Sequence, residues 1–265
     1  MILPLMILSF PVRNRGAAES WNRIIRTRIM GTGKLLGGGN STPQCFAHMN
    51  SRILLTALLA VGLACNSLAA DAPVEDVPGL PRVLLIGDSI SMGYTFPTRA
   101  LLKGKANVHR PPTNCGATSV GLAGLAKWLG DKKWDVIHFN FGLHDAKLPP
   151  EGARHSPPDV YEKNLRELVT RLQATGAKLI WATTTPVPNG GIISPTRRFG
   201  SVDEYNRIAR KVMEENKIAI DDLHAAIAPR LKELQQPNDV HFTAAGSALL
   251  AQHVTASIES VLKSK

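Results

Sequence analysis

The sequence is poor in cysteine, with three in 265 residues, at Cys45, Cys65 and Cys115. Once an N-terminal leader that holds the first two is set aside, Cys115 stands alone and no internal disulfide can form. The fold must then rest on its core, which the remaining stretch of about 180 residues is large enough to supply. An apolar run of roughly 20 residues, the length of a membrane span, is also missing: the run Ile53 to Ala64 stops short. Acidic residues are scarce at one end only. Residues 1–70 hold seven of the 31 Lys and Arg but one of the 21 Asp and Glu, so the rest carries 24 against 20 and a net charge near +4 rather than +10. The basic balance is a property of the leader and gives no argument for a nucleic-acid partner.

The leader has its own organisation. Residues 49–70, MNSRILLTALLAVGLACNSLAA, place Arg52 before an apolar run and small residues after it, the three-part layout of a secretory signal peptide. Cleavage after Ala69 or Ala70 releases a chain beginning near Asp71, secreted or periplasmic, with no stable membrane insertion. Lipid attachment at Cys65 is the weaker reading, since Gly62-Leu63-Ala64 fits such a site loosely. Residues 1–48 read as a disordered basic leader or a mis-assigned gene start. Residues 71–81, rich in proline and acid, read as a linker into a single domain over 82–265.

Within that domain apolar runs alternate with amphipathic stretches. Strands are expected at Val83–Ile86, Asn107–Arg110, Val136–Phe141, Leu179–Thr183 and Ile218–Ile220. Helices are expected at 118–129, 159–175, from Ser201 behind a Ser-x-x-Glu capping box, 221–234, and from a cap at Thr243. Val187–Gly200, rich in glycine and proline, reads as a surface loop. Buried strands alternating with helices imply an α/β fold with a parallel sheet covered on both faces.

In an open parallel sheet, sites form beyond the carboxyl ends of the strands. Small and polar residues gather there: Gly87-Asp88-Ser89, Asn114-Cys115-Gly116, Gly142-Leu143-His144-Asp145 and, before the last helix, Asn238-Asp239-Val240-His241. Acyl transfer needs a nucleophile, a base, an orienter for the base and oxyanion donors. Ser89 offers the hydroxyl, His241 an imidazole suited to proton transfer near neutral pH, and Asp239 the orienting carboxylate. The backbone N–H groups of Ser89 and Gly116 are oxyanion donors. Arg110 and Asn114 stand where they could touch substrate, as does Asp145. Cys115 reads as packing and His138 as a satisfied core histidine.

These blocks, in this order over roughly residues 82–263, resemble the SGNH/GDSL hydrolase superfamily. The resemblance implies a flavodoxin-like three-layer α/β/α sandwich whose five parallel strands lie in the order 2-1-3-4-5. It also implies cofactor-free, metal-independent hydrolysis of acyl esters, acetyl or short-chain, on small molecules or carbohydrates. Ser89 then becomes the nucleophile, His241 the base and Gly116 the oxyanion glycine. The sequence departs from the family at two places. His144 stands where the family offers a side-chain oxyanion donor from Asn, a role that a neutral imidazole N–H can fill. The orienting Asp usually lies three residues before the histidine; here Asn238 holds that position and Asp239 lies two before.

Two other readings remain open on the residues alone. One is a metal-dependent phosphoesterase, with Asp88, His144, Asp145, Asp239 and His241 as ligands. The other is a non-catalytic carbohydrate-binding member of the same fold.

Overall fold

The computed structural model describes residues 74–148, 156–194 and 197–264. The leader, the signal-peptide pattern and the start of the linker lie outside the described residues. Strand β1 (Arg82–Ile86) leads into helix α1 (Ser89–Leu101), β2 (Asn107–His109), α2 (Thr118–Leu129), β3 (Val136–Phe139) and β4 (Lys147–Leu148). Helix α3 (Pro158–Gln173), β5 (Lys178–Ala182), β6 (Ile192–Ser194), β7 (Arg197–Phe199) and α4 (Val202–Glu215) follow. The chain closes with β8 (Ala219–Asp221), α5 (Leu223–Ile227), α6 (Leu231–Leu234) and α7 (Ala244–Lys263).

Strands β2-β1-β3-β5-β8 form one sheet with every neighbouring pair parallel. Counting only its own five strands, the order is the expected 2-1-3-4-5. The register sets Val83 beside Val136 and Ile137 beside Leu179. Side chains alternate faces along each strand, so each apolar strand feeds two cores. Leu84, Ile86, Ile137, Phe139 and Trp181 meet Leu125, Tyr161, Leu165, Tyr205 and Val212 from α2, α3 and α4. Val83, Leu85, Val136 and Ile180 meet Tyr94, Leu250, Val254 and Ile258 from α1 and α7. Burial on both faces is why these strands read as unbroken apolar runs rather than alternating ones. Among the described residues no helix is long and apolar enough to cross a membrane.

Local expectations fare unevenly. Thr243 caps α7, its Oγ1 accepting from the Gly246 N–H at 3.2 Å. The box at Ser201 does not form, because the Ser201 side chain makes no capping hydrogen bond. The helix expected over 221–234 is broken into α5 and α6 by a 3₁₀ turn at Ala228–Arg230. Pro229 lies in that turn, and a proline removes an N–H and crowds the preceding turn. Val187–Gly200 is more than a loop: β6 and β7 pair there, and β7 pairs antiparallel with β4, giving a second three-stranded sheet.

Candidate active site

The site is built at the carboxyl edge of the parallel sheet. Strand β1 ends at Gly87, where a Cβ would lie 2.8 Å from that of Ser91. Only glycine lets the chain turn this sharply into α1. Asp88 is the N-cap, with Oδ1 accepting from the Ile90 N–H at 2.9 Å. Ser89 is therefore the first residue of a helix. Its N–H is one of the first-turn donors that a helix cannot satisfy itself, and among the described residues no acceptor takes it. The positive end of the helix dipole favours negative charge at this point.

The second half arrives 152 residues later in the chain. His241 lies in the segment leading into α7, and its Nε2 is 2.8 Å from Ser89 Oγ. On the other side of the ring, Nδ1 is 3.0 Å from Asp239 Oδ1. That oxygen also accepts from the Val240 N–H at 2.7 Å, which fixes the carboxylate. Ser89, His241 and Asp239 are thus one hydrogen-bonded line. Asn238 has φ of +53° and Oδ1 accepting from Asn189 Nδ2 at 2.7 Å, so it fastens its loop to the turn after β5. With the carboxylate two residues before the histidine, behind a left-handed residue, the line is formed.

A pocket of about 90 Å³ opens beside Ser89, lined by Asn114, Leu143, His144, Lys147, Phe199 and Val240. His144 and Asn114 therefore face the same space as the hydroxyl. The other expected contributors do not. Gly116, with φ of +62°, donates its N–H to Asn114 Oδ1 at 2.9 Å, a tight side-chain turn, so this donor is engaged rather than open. Asp145 is fully buried, and both its oxygens accept from Thr118, from the backbone N–H at 3.0 and 3.1 Å and from Oγ1 at 2.6 Å. Its substrate-binding role is corrected to a helix cap. Ala117, at the N-cap of α2, has no side chain to satisfy that first turn, and the carboxylate takes its place. Arg110 donates from Nη2 to Thr113 O at 3.2 Å, bracing the loop after β2, and it is not among the lining residues of this pocket.

The electrostatics follow from burial. Burial pushes the Asp88 carboxyl up, against the pull of the His144 and His241 imidazoles and the Ile90 N–H. Burial pushes the Cys115 thiol up to about 11, so it stays protonated and unreactive. His138 is satisfied on one side only: Nε2 is 3.0 Å from Asp221 Oδ2, while Nδ1 has no partner among the described residues. The five residues that might ligate a metal do not assemble, and among the described residues no three His, Cys, Asp or Glu side chains group as a metal site.

Lys147, Phe199, Leu143 and Val240 carried no local mark of function in the sequence. Leu143 and Val240 are masked as ordinary apolar neighbours of His144 and His241. Lys147 and Phe199 reach the pocket only because β4 and β7 pair.

Comparison with known proteins places the chain in a family. The sequence pattern of the GDSL-like lipase/acylhydrolase family matches residues 85–249. An arylesterase of Vibrio mimicus is 25% identical over 150 residues, spanning 52% of this chain and 68% of that one. The crystal structure of a lipase/acylhydrolase from Enterococcus faecalis superposes with a TM-score of 0.60 at 23% identity, over 70% of this chain and 99% of that one. An acetylxylan esterase from Geobacillus stearothermophilus superposes with a TM-score of 0.54 at 22% identity, over 67% and 94%. At these identities the two structural likenesses speak for the fold.

Proposed function

The chain belongs to the GDSL-like lipase/acylhydrolase family, whose members hydrolyse ester bonds, and on that premise we propose that it is a secreted serine hydrolase of acetyl or short-chain esters. The observation that carries the mechanism is the line from Ser89 Oγ through His241 to Asp239. In this reading His241 Nε2 takes the hydroxyl proton as Oγ attacks the ester carbonyl carbon. The carbonyl oxygen becomes an oxyanion, held by the Ser89 N–H and a His144 ring N–H. The Gly116 N–H joins them if Asn114 gives way. Collapse breaks the bond to the alcohol, which leaves with the proton from His241. Water then attacks the acyl-enzyme by the same route, giving the carboxylic acid and free Ser89. Asp239 holds the imidazole in the tautomer that presents a bare Nε2 to the hydroxyl.

The substrate class rests on two supports. The pocket beside Ser89 is small, which suits a short acyl group, and the acetylxylan esterases among the structural relatives suggest a carbohydrate alcohol. Secretion rests on the signal-peptide layout of residues 49–70. The test is hydrolysis of p-nitrophenyl acetate by the wild type and by Ser89→Ala. We expect loss of about 10⁴-fold or more in kcat for the variant. Undiminished turnover in Ser89→Ala overturns the proposal. N-terminal sequencing of the exported protein checks the cleavage, with a start near Asp71 as the expected result.

A further inference from the structure

We propose that Lys147 makes this site selective for esters carrying a carboxylate a few bonds from the scissile carbonyl; the inference rests on the serine-hydrolase reading of the same pocket. Lys147 lies in the two-residue strand β4, paired with Phe199 of β7. Directly paired residues project to the same face, and both line the pocket with Ser89, His144 and Asn114. The strand is held close to the catalytic edge. Lys147 N donates to His144 O at 3.4 Å, Ala146 N to Gly142 O at 2.8 Å, and Gly200 N to Ala146 O at 2.7 Å. The root of the lysine is therefore tied to the turn that carries His144.

The ammonium itself has no carboxylate partner among the described residues. The acids at this edge of the sheet are committed elsewhere: Asp88 caps α1, Asp145 caps α2 and Asp239 holds His241. Of the other lining residues, Leu143, Phe199 and Val240 are apolar, and Ser89, Asn114 and His144 bring no carboxylate to the charge. Lys147 is exposed at the rim of a small pocket with apolar residues along part of its wall, and a low-dielectric wall beside a cation strengthens its pull on an anion relative to an open surface. A neutral acyl or sugar ester leaves that charge unanswered, whereas a substrate carboxylate supplies the missing partner. The carboxylate can sit on the acyl side, as in a dicarboxylic acid half-ester, or on the alcohol side, as in an acylated uronic acid; the ammonium recognises the same group in either.

The test compares matched pairs of esters on the purified protein. The acyl arm sets the mono-p-nitrophenyl ester of glutaric acid against p-nitrophenyl butyrate, with uncatalysed rates subtracted. The alcohol arm sets 4-acetoxybenzoate against phenyl acetate. In at least one arm, Lys147→Met is expected to lower kcat/KM for the anionic ester roughly threefold to tenfold while leaving its neutral partner within about twofold. Lys147→Glu is expected to lower it further, Lys147→Arg to retain it, and high salt to erode the wild-type preference. The arm that responds identifies where the carboxylate sits. Equal effects on anionic and neutral esters in both arms overturn the proposal, as does general inactivation by Lys147→Met and Lys147→Arg alike. Failure of the underlying mechanism shows separately, as turnover surviving in Ser89→Ala.

Discussion

Among the described residues two histidine–aspartate pairs have the same ring-to-carboxylate distance, and they differ in what the far side of the ring meets. His241 and Asp239 lie at the edge of the sheet, with side chains 36% and 29% exposed. His138 and Asp221 lie inside it, at 0% and 6%. The ring-to-carboxylate distance is 3.0 Å in both. What differs is the far nitrogen. That of His241 meets Ser89 Oγ at the mouth of a pocket. That of His138 meets no polar partner among the described residues, and the ring stands in a T-shaped arrangement with Tyr94, 6.3 Å between centroids. The pairing itself is not the catalyst. In the proposed mechanism a hydroxyl on the free nitrogen and room for an ester turn it into one, whereas the same pair sealed in the core ties β3 to β8 across the intervening β5.

The largest effect that could break this contrast is at Asp239. Asp239→Asn keeps shape but loses the charge and the tautomer control, and kcat for p-nitrophenyl acetate is expected to fall about 10²–10⁴-fold. A loss below about threefold would mean that the outer pair, too, is structural. His138→Leu is the reciprocal experiment. It strands a buried carboxyl at Asp221, and urea unfolding is expected to show a loss of about 2–4 kcal/mol. Activity per folded molecule should be unchanged, and a selective loss of kcat without loss of stability would erase the distinction between the pairs.

Asp88 sharpens the comparison with the smallest effect, since its carboxyl is buried like Asp221 but lies beside the outer pair. Its pKa is raised by burial, so the folded state disfavours the ionised form. The carboxyl then contributes most to stability below its unfolded pKa, near 3.9, and that contribution is lost as pH rises through the folded value. Asp88→Asn keeps a capping oxygen and removes the charge. Its melting temperature is expected to exceed that of the wild type near pH 7 and to converge with it toward pH 4. A gap that widens on acidification would contradict the assigned cause.

Legibility in the sequence followed the range of the interaction. The parallel sheet could be read from Val83–Ile86, Val136–Phe139 and Leu179–Ala182, because burial on both faces writes itself as a local apolar run. Ser89 and His241 could be read from their places after the first strand and before the last helix. The capping box at Ser201 looked equally clear and did not form, since a side-chain cap competes with whatever else its loop is doing. Asp145 sat in the right block, yet its carboxylate went to Thr118, whose unsatisfied N–H is visible only once α2 is docked.

The sequence by itself determined the layer architecture, the strand order through the family resemblance, and the two residues, Ser89 and His241, that the proposed mechanism uses. These depend on patterns within about ten residues and on chain order. Only the tertiary structure decided which acid faces His241, that Gly116 is engaged by Asn114, that Asp145 caps α2, and that Lys147 and Phe199 wall the pocket. Each of those outcomes is a competition among polar groups or strands far apart in sequence, and such competitions are settled by which partners folding brings within hydrogen-bond reach.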